Sequence, residues 1–198
     1  VHNENKYVSN CMNTAKICIF TDTGKMHTIK AVDIPLGRFR DKGTPVDNLS
    51  NYDSSQERML YVAPVGQLRS DRLLFVTKTS MCKLVEGAEF DVAKRTIAST
   101  KLADEDELIF IGSASEMEQI VLQSHGGCFL RFLTQEVSTM KKTALGVRGM
   151  KLADDDYLEH AYLLAGHQEY TISYHDKEYA LNKVRLAKRD TKGIKPRI

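Results

Sequence analysis

The feature that most constrains the fold is an internal repeat with a period of roughly 50 residues. The hexapeptide Lys101–Asp106 (KLADED) recurs almost unchanged as Lys151–Asp156 (KLADDD), and each copy precedes an apolar stretch. Asn48-Leu49 occupies the same slot more loosely, about one period earlier. Repeats of this length build solenoids, propellers or arrays, in which each unit buries its apolar face against its neighbours.

Short turns between alternating apolar runs recur with the same period. They centre on Gly24, Ser80, Gly127 and Lys177. Turns of this kind between two strand-like runs are typical of β-hairpins. No segment combines a sustained 3.6-residue apolar period with caps at both ends, so the sequence predicts an all-β chain.

The predicted architecture is propeller-like, because radial repetition of small sheets protects their edges. We expect about four repeats of roughly 50 residues with four-stranded blades. The repeats are predicted to span roughly 1–53, 54–106, 107–156 and 157–198. The absence of Trp excludes the Trp-Asp signature of the commonest propellers.

The amino-acid composition limits which cellular compartment and which partners are expected for this chain. The 198 residues carry 28 Lys and Arg against 26 Asp and Glu, so no uniformly basic coat is present. No apolar run approaches the roughly 20 residues of a membrane helix, and no signal-peptide pattern opens the chain. Four Cys without a C-x-x-C pair are expected to be reduced and mostly buried, which favours the cytoplasm. A start at Val1 rather than Met is expected of a piece of a longer protein.

Basic side chains recur at one phase of the repeat, in the segment after the third strand of each unit. They are densest at the end of the chain, where residues 176–198 hold eight basic and three acidic side chains. Radial repetition would bring the four clusters onto one curved rim, where Lys and Arg contact DNA phosphates without reading bases. The residues predicted to contact phosphates are Arg38, Arg40, Lys42, Lys94, Arg95, Lys141, Lys142, Arg148, Lys188, Arg189 and Lys192.

Other chemistry finds little support in the sequence. The acidic runs 104–106 and 154–156 lack the spacing of a calcium-binding loop, so we interpret them as turns that face away from DNA. Cys128 lies near His125, but no third group is evident that would orient a catalytic pair. An independent enzyme is therefore the weakest hypothesis. The alternative to DNA binding is a β-propeller scaffold for protein interactions.

The segments Ile17–Met26, Ile34-Pro35 and Lys42–Leu49 together resemble one repeat of a known domain. This is the C-terminal domain of the A subunits of bacterial type IIA topoisomerases, the family of DNA gyrase and topoisomerase IV. Gly146–Leu152 is similar to a second characteristic segment of the same repeat, and the resemblance runs from about Lys16 to Ile194. It implies a β-pinwheel, whose blades exchange strands with their neighbours, and double-stranded DNA bent around the outer rim.

The resemblance also implies what lies outside this chain. The parent would be an ATP-dependent topoisomerase with two A and two B subunits in the cytoplasmic nucleoid. Its cleaving tyrosine and magnesium site would lie in the N-terminal part, and ATP hydrolysis would belong to the B subunit. We therefore expect neither enzymatic activity nor a cofactor in this fragment, and the isolated domain is compatible with a monomer.

Two departures from the family pattern leave questions open. Family domains usually have five or six repeats, whereas about four are counted here. The glycine-rich basic box of gyrases is not found in the sequence. Either the box lies upstream of Val1 or the protein behaves like topoisomerase IV, so the sequence leaves gyrase and topoisomerase IV open, and it does not give the handedness of wrapping.

Overall fold

The computed structural model describes residues 5–197 and consists mainly of small antiparallel sheets. No helix within that range is long and apolar enough to span a membrane. The strands are β1 (Lys16–Thr21), β2 (Lys25–Lys30), β3 (Met59–Pro64), β4 (Arg72–Thr77), β5 (Met81–Glu86), β6 (Thr96–Ala98), β7 (Leu108–Ser113), β8 (Gln119–Ser124), β9 (Phe129–Leu133), β10 (Val147–Arg148), β11 (Leu158–Leu164), β12 (Thr171–Tyr174) and β13 (Lys177–Ala180). The helical pieces are α1 (Val65–Leu68) and 3-10 turns at Ala31–Asp33, Val46–Asn48, Gly87–Phe90, Thr134–Glu136 and Leu181–Lys183.

The hairpins predicted from the recurring turns are confirmed. They are β1–β2, β4–β5, β8–β9 and β12–β13. The first three turns contain a residue with positive φ, namely Gly24 (76°), Ser80 (73°) and Gly127 (80°). Glycine adopts this conformation without steric cost, whereas Ser80 is held in place because its buried hydroxyl accepts a hydrogen bond from the Met150 amide at 2.7 Å.

Each of the first three hairpins is completed by segments from the next repeat. The first sheet has the order β3-β1-β2-β6, and the second has the order β10-β5-β4-β7. The third has the order β11-β8-β9, with bridges from Ile194 to Phe129 and from Leu186 to Arg131 in place of a fourth strand. The fourth consists of the β12–β13 hairpin. The expected all-β, strand-exchanged architecture is confirmed, although only the first two sheets have four strands.

The cores lie between consecutive sheets. The cluster between the first and second sheets is built on Phe20, Phe75 and Phe90, whose ring centroids are 4.9–6.2 Å apart. A second cluster fills the space between the second and third sheets, and a smaller one around Phe129 and Leu181 joins the third sheet to the fourth. Each sheet therefore depends on its neighbours for burial, as expected of a repeat architecture.

The repeated acidic hexapeptide has a structural role. The Asp106 carboxylate accepts hydrogen bonds from the Thr79 hydroxyl at 2.6 Å and the Thr79 amide at 3.1 Å. Asp156 accepts a hydrogen bond from the Gly126 amide at 2.8 Å. In the first hairpin turn, the Thr23 hydroxyl donates to Glu57 at 3.0 Å. The last residue of each acidic run thus fixes the hairpin turn of its own unit, and Glu57 does the same for the turn of the first unit.

The expectation that the cysteines are mostly buried holds only in part. Cys18 and Cys82 are buried, and burial raises the pKa of their thiols to about 11 and about 12. Cys128 is half-buried and Cys11 is exposed in the segment that precedes β1. All four thiols are free.

Candidate nucleic-acid interface

The basic segments follow the same path in successive units. In each unit the second hairpin strand runs into a 3-10 turn, and the basic segment comes after that turn. The basic segments of the second, third and fourth units then cross to the sheet of the preceding unit. There Thr96 pairs with β2, Val147 pairs with β5 and Ile194 pairs with β9. The backbone therefore holds these basic segments at the outer edge of a sheet.

Most of the predicted contact residues have exposed side chains with no ion-pair partner. Within residues 5–197, no carboxylate lies within 4.0 Å of the charged atoms of this group. An exposed cation without an ion-pair partner can meet a phosphate without first breaking an internal ion pair. The residues are Arg38, Arg40, Lys42, Lys94, Arg95, Lys188 and Lys192.

Lys141 and Lys142 contact the preceding unit through Glu89. The Lys141 ammonium lies 3.6 Å from the Glu89 carboxylate, although the lysine side chain remains 84% exposed. The Lys142 amide donates to the same carboxylate at 3.1 Å, and its ammonium donates to the Glu89 carbonyl at 3.3 Å. Lys142 is therefore half-buried, and part of its hydrogen-bonding capacity is used within the fold.

Arg148 and Arg189 form a cluster where the third unit meets the fourth. Arg148 donates from Nε and from one terminal amino group to the two carboxylate oxygens of Asp190, and this pairing holds the pKa of that carboxyl below its usual range. The Arg189 guanidinium donates to the Arg148 carbonyl at 2.6 Å and to the Glu136 carbonyl at 3.0 Å. These two arginines are placed at the predicted rim, but they already stabilise the join between units.

The basic segments of the second, third and fourth units contact one another in chain order. The Lys101 amide donates to the Lys142 carbonyl at 3.1 Å, and the Arg189 guanidinium donates to the Arg148 carbonyl. The Arg95 guanidinium reaches the carbonyl of Leu49, which follows the basic residues 38–42, at 3.4 Å. Lys94, Lys101 and Lys142 line one groove of about 510 Å³. We call the four segments 38–42, 94–101, 141–148 and 188–192 the basic track. Lys101 was missed in the sequence reasoning, because it belongs to the hexapeptide interpreted as an acidic turn.

A buried lysine beneath the track was also missed. Lys83 is 1% exposed, and its ammonium donates to the carbonyls of Lys142 at 2.8 Å and Ala144 at 2.6 Å. Desolvation lowers the pKa of Lys83 to about 8. Lys83 lies in the buried middle of β5, where the carbonyls of the crossing segment and the Phe75 ring, 5.7 Å from the ammonium, offset the cost of burying the charge.

This burial predicts a pH dependence of stability. Between about pH 8 and pH 10.5, unfolded Lys83 holds a proton that the folded residue has lost, so stability rises with pH in this window. The unfolding free energy of the wild type, measured relative to Lys83→Met by urea titration, is expected to increase through this range. A difference in unfolding free energy between the two proteins that does not change with pH would mean that folding leaves the pKa of Lys83 unchanged.

Residues 5–197 contain no group of three or more His, Cys, Asp or Glu side chains arranged to hold a metal ion. His125 bonds to Glu159 at 2.6 Å and stacks on Tyr157 at 4.7 Å between ring centroids. The neighbouring residues 154–156 form a turn.

Sheets that share strands between consecutive repeats, with buried clusters between them, define a β-propeller-like domain of the pinwheel type. The chain belongs to the DNA gyrase C-terminal domain family, whose model, described as a beta-propeller, matches residues 15–54, 71–115 and 118–165. The A subunit of DNA gyrase from Ureaplasma parvum is 27% identical over 184 residues, which cover 90% of this chain and 22% of that protein. The corresponding protein of Salmonella typhimurium is 31% identical over 142 residues, which cover 71% of this chain and 16% of that protein.

Solved structures agree with this assignment of the fold. The C-terminal domain of DNA topoisomerase IV superposes with a TM-score of 0.82 at 24% identity, and the match covers 92% of this chain and 58% of that one. The Escherichia coli ParC C-terminal domain superposes with a TM-score of 0.78 at 15% identity, and the match covers 97% of this chain and 80% of that one. The chain spans about a fifth of the curated relatives it matches.

Proposed function

We propose that this chain binds and bends double-stranded DNA as the C-terminal domain of a bacterial type IIA topoisomerase A subunit. The observation that carries the proposal is the basic track, in which four segments recur at one phase of the repeat and the last three contact one another in chain order. Membership of the gyrase C-terminal family supports it.

The chemistry of the track suits non-specific phosphate contact. Lys and Arg neutralise phosphates regardless of sequence, and bending a duplex over a short path costs on the order of several kcal/mol, so many contacts must act together. A curved row of cations can supply them through the DNA backbone alone, as histones do. The carboxylates of the acidic turns are hydrogen-bonded to the hairpin turns. The negative charge is therefore held at those turns and not along the basic track, although the net charge of the chain is small.

The parent protein is proposed to be an ATP-dependent topoisomerase of two A and two B subunits in the bacterial nucleoid. Its catalytic tyrosine, magnesium site and ATPase would lie outside this chain. By bending the DNA next to the cleavage gate, this domain would present a second duplex segment for passage.

Binding to a long linear duplex across a salt series tests the proposal. We expect a plot of the logarithm of the association constant against the logarithm of the salt concentration to be a falling straight line. Its slope should be more negative by about 0.9 for each phosphate contact. Ligation of nicked circles in the presence of the protein then reports wrapping. A shift in linking number would establish chiral wrapping and its hand, whereas binding without a shift would indicate bending alone. Absence of binding at low salt would contradict the proposal and favour the protein-interaction scaffold.

A further inference from the structure

A turn in the third segment of the basic track rests on the buried ammonium of Lys83. The turn is closed by a hydrogen bond from the Ala144 amide to the Lys141 carbonyl at 3.0 Å. Beneath it, the Lys83 ammonium donates to the carbonyls of Lys142 at 2.8 Å and Ala144 at 2.6 Å. Both carbonyls therefore point into the fold, towards a side chain that is 1% exposed.

The direction of these carbonyls fixes the direction of two amides. The C=O and N–H bonds of a planar trans peptide unit point in opposite directions. The Thr143 and Leu145 amides share peptide units with the carbonyls of Lys142 and Ala144, so both N–H groups point away from Lys83. Neither amide donates a hydrogen bond to any residue in 5–197. Two unused donors therefore lie on the outer side of the turn.

The groove beside this turn suits an anion. Thr143 lines it, so its amide and its hydroxyl lie beside the lysines of the groove. Glu89 is the acidic neighbour of the turn, and its carboxylate accepts the Lys142 amide at 3.1 Å. No carboxylate is among the described residues that line the groove, which are Lys94, Thr96, Ile97, Ala98, Thr100, Lys101, Lys142 and Thr143.

The arrangement differs from that in the neighbouring hairpins. Lys83 lies three residues after the centre of its hairpin turn, and His27 and Leu130 hold the same position in the first and third hairpins. His27 contacts the Thr96 hydroxyl at 3.0 Å, and leucine has no donor. Of these three side chains, only Lys83 donates to the carbonyls of a basic segment.

We propose that residues 141–145 form a phosphate-binding site in which the Thr143 and Leu145 amides and the Thr143 hydroxyl donate to one phosphate group. Successive backbone N–H groups that point the same way make such anion-binding concavities. The lysines of the groove add positive charge. Lys83 is a positioning residue, because it holds the two peptide units from behind and does not touch the phosphate.

The source of the phosphate rests on the proposed function. In that case it belongs to the backbone of the bound duplex, and the contact carries no sequence information. A free phosphate ion offers the same acceptor oxygens, so the two sources must be separated by experiment.

Amide NMR spectra of the intact, 15N-labelled chain test the site. On titration with a short DNA duplex at low salt, the amide proton signals of Thr143 and Leu145 should move downfield. The Ala144 amide is the internal control, because it already bonds to the Lys141 carbonyl and should move less. A second titration with inorganic phosphate should move the same two signals, but at higher concentration.

Two variants that each lose one positive charge test the role of Lys83. Lys83→Met should lose both downfield shifts, since its peptide units are no longer held. Lys78→Met is the matched control and should keep both shifts, because Lys78 is paired with Glu107 and has no contact with the turn. The wild-type titrations decide the amide contacts even where Lys83→Met does not fold.

The outcomes separate this site from DNA binding itself. Duplex binding that leaves the Thr143 and Leu145 signals in place overturns the site and leaves the proposed function standing. Shifts with inorganic phosphate in a chain that does not bind duplex support the site and contradict the proposed function. No response to either titrant overturns both, and shifts that persist in folded Lys83→Met overturn the positioning role.

Discussion

Neutralising Lys94, Lys188 and Lys192 together is expected to weaken DNA binding about 100-fold at about 0.15 M salt, as estimated from counterion release. The three side chains are exposed and have no ion-pair partner within residues 5–197, so replacement by Gln removes phosphate contacts and leaves the fold intact. The slope of log association constant against log salt should fall in magnitude by about 2.7. Fluorescence anisotropy of a labelled duplex over a salt series measures both quantities.

A matched control removes the same charge elsewhere. It uses three exposed or half-exposed basic residues that lie outside the track and pair with carboxylates: Arg58→Gln, Arg69→Gln and Lys78→Gln. The control should keep the wild-type slope to within one contact. Equal losses in the two triple variants would mean that net charge, and not the track, governs binding.

Gly87→Ala is expected to destabilise the domain by about 3 kcal/mol or more, because an added Cβ has no space and overpacking is costly. The Cβ would lie 2.0 Å from the Leu68 carbonyl oxygen and 3.0 Å from that of Asp71, and both are backbone atoms. Gly87 also donates its amide to the Asp71 carbonyl at 2.8 Å, so the turn cannot move away without losing this bond. Urea denaturation measures the loss.

Gly66→Ala is the control for the loss of glycine flexibility. It lies in α1, and nothing stands within 4 Å of an added Cβ. The replacement should stabilise the protein by about 0.5–1 kcal/mol, because it restricts the unfolded chain. Similar destabilisation by both substitutions would show that the close approach at Gly87 is not what the fold requires.

The hairpins could be predicted because their signals are local. Gly24 and Gly127 mark turns by residue type, and the period of the repeat identified Ser80 as the equivalent position even though serine rarely adopts positive φ. The repeat also predicted the all-β class, since each unit contains several short apolar runs and no amphipathic helix.

The direction of the basic side chains could not be predicted in the same way. Lys142 and Arg189 face the preceding unit, whereas Lys94 and Lys188 face solvent. The difference depends on which residue of a crossing segment meets the third residue of a 3-10 turn in another unit. That relation joins residues far apart in the chain. Lys83 was missed for the same reason, since the carbonyls that accept its hydrogen bonds lie 59 and 61 residues further along the chain.

Strand exchange has a mechanical consequence for the track. Lys94 is covalently part of the second unit, yet the segment that follows it is hydrogen-bonded to the first sheet along β2. Lys141 and Lys142 bear the same relation to the second sheet. If the chain bends DNA as proposed, the pull of the duplex at any of these side chains would be transmitted to two sheets and the hydrophobic clusters beneath them. The load would then be shared across the boundaries between the first three units.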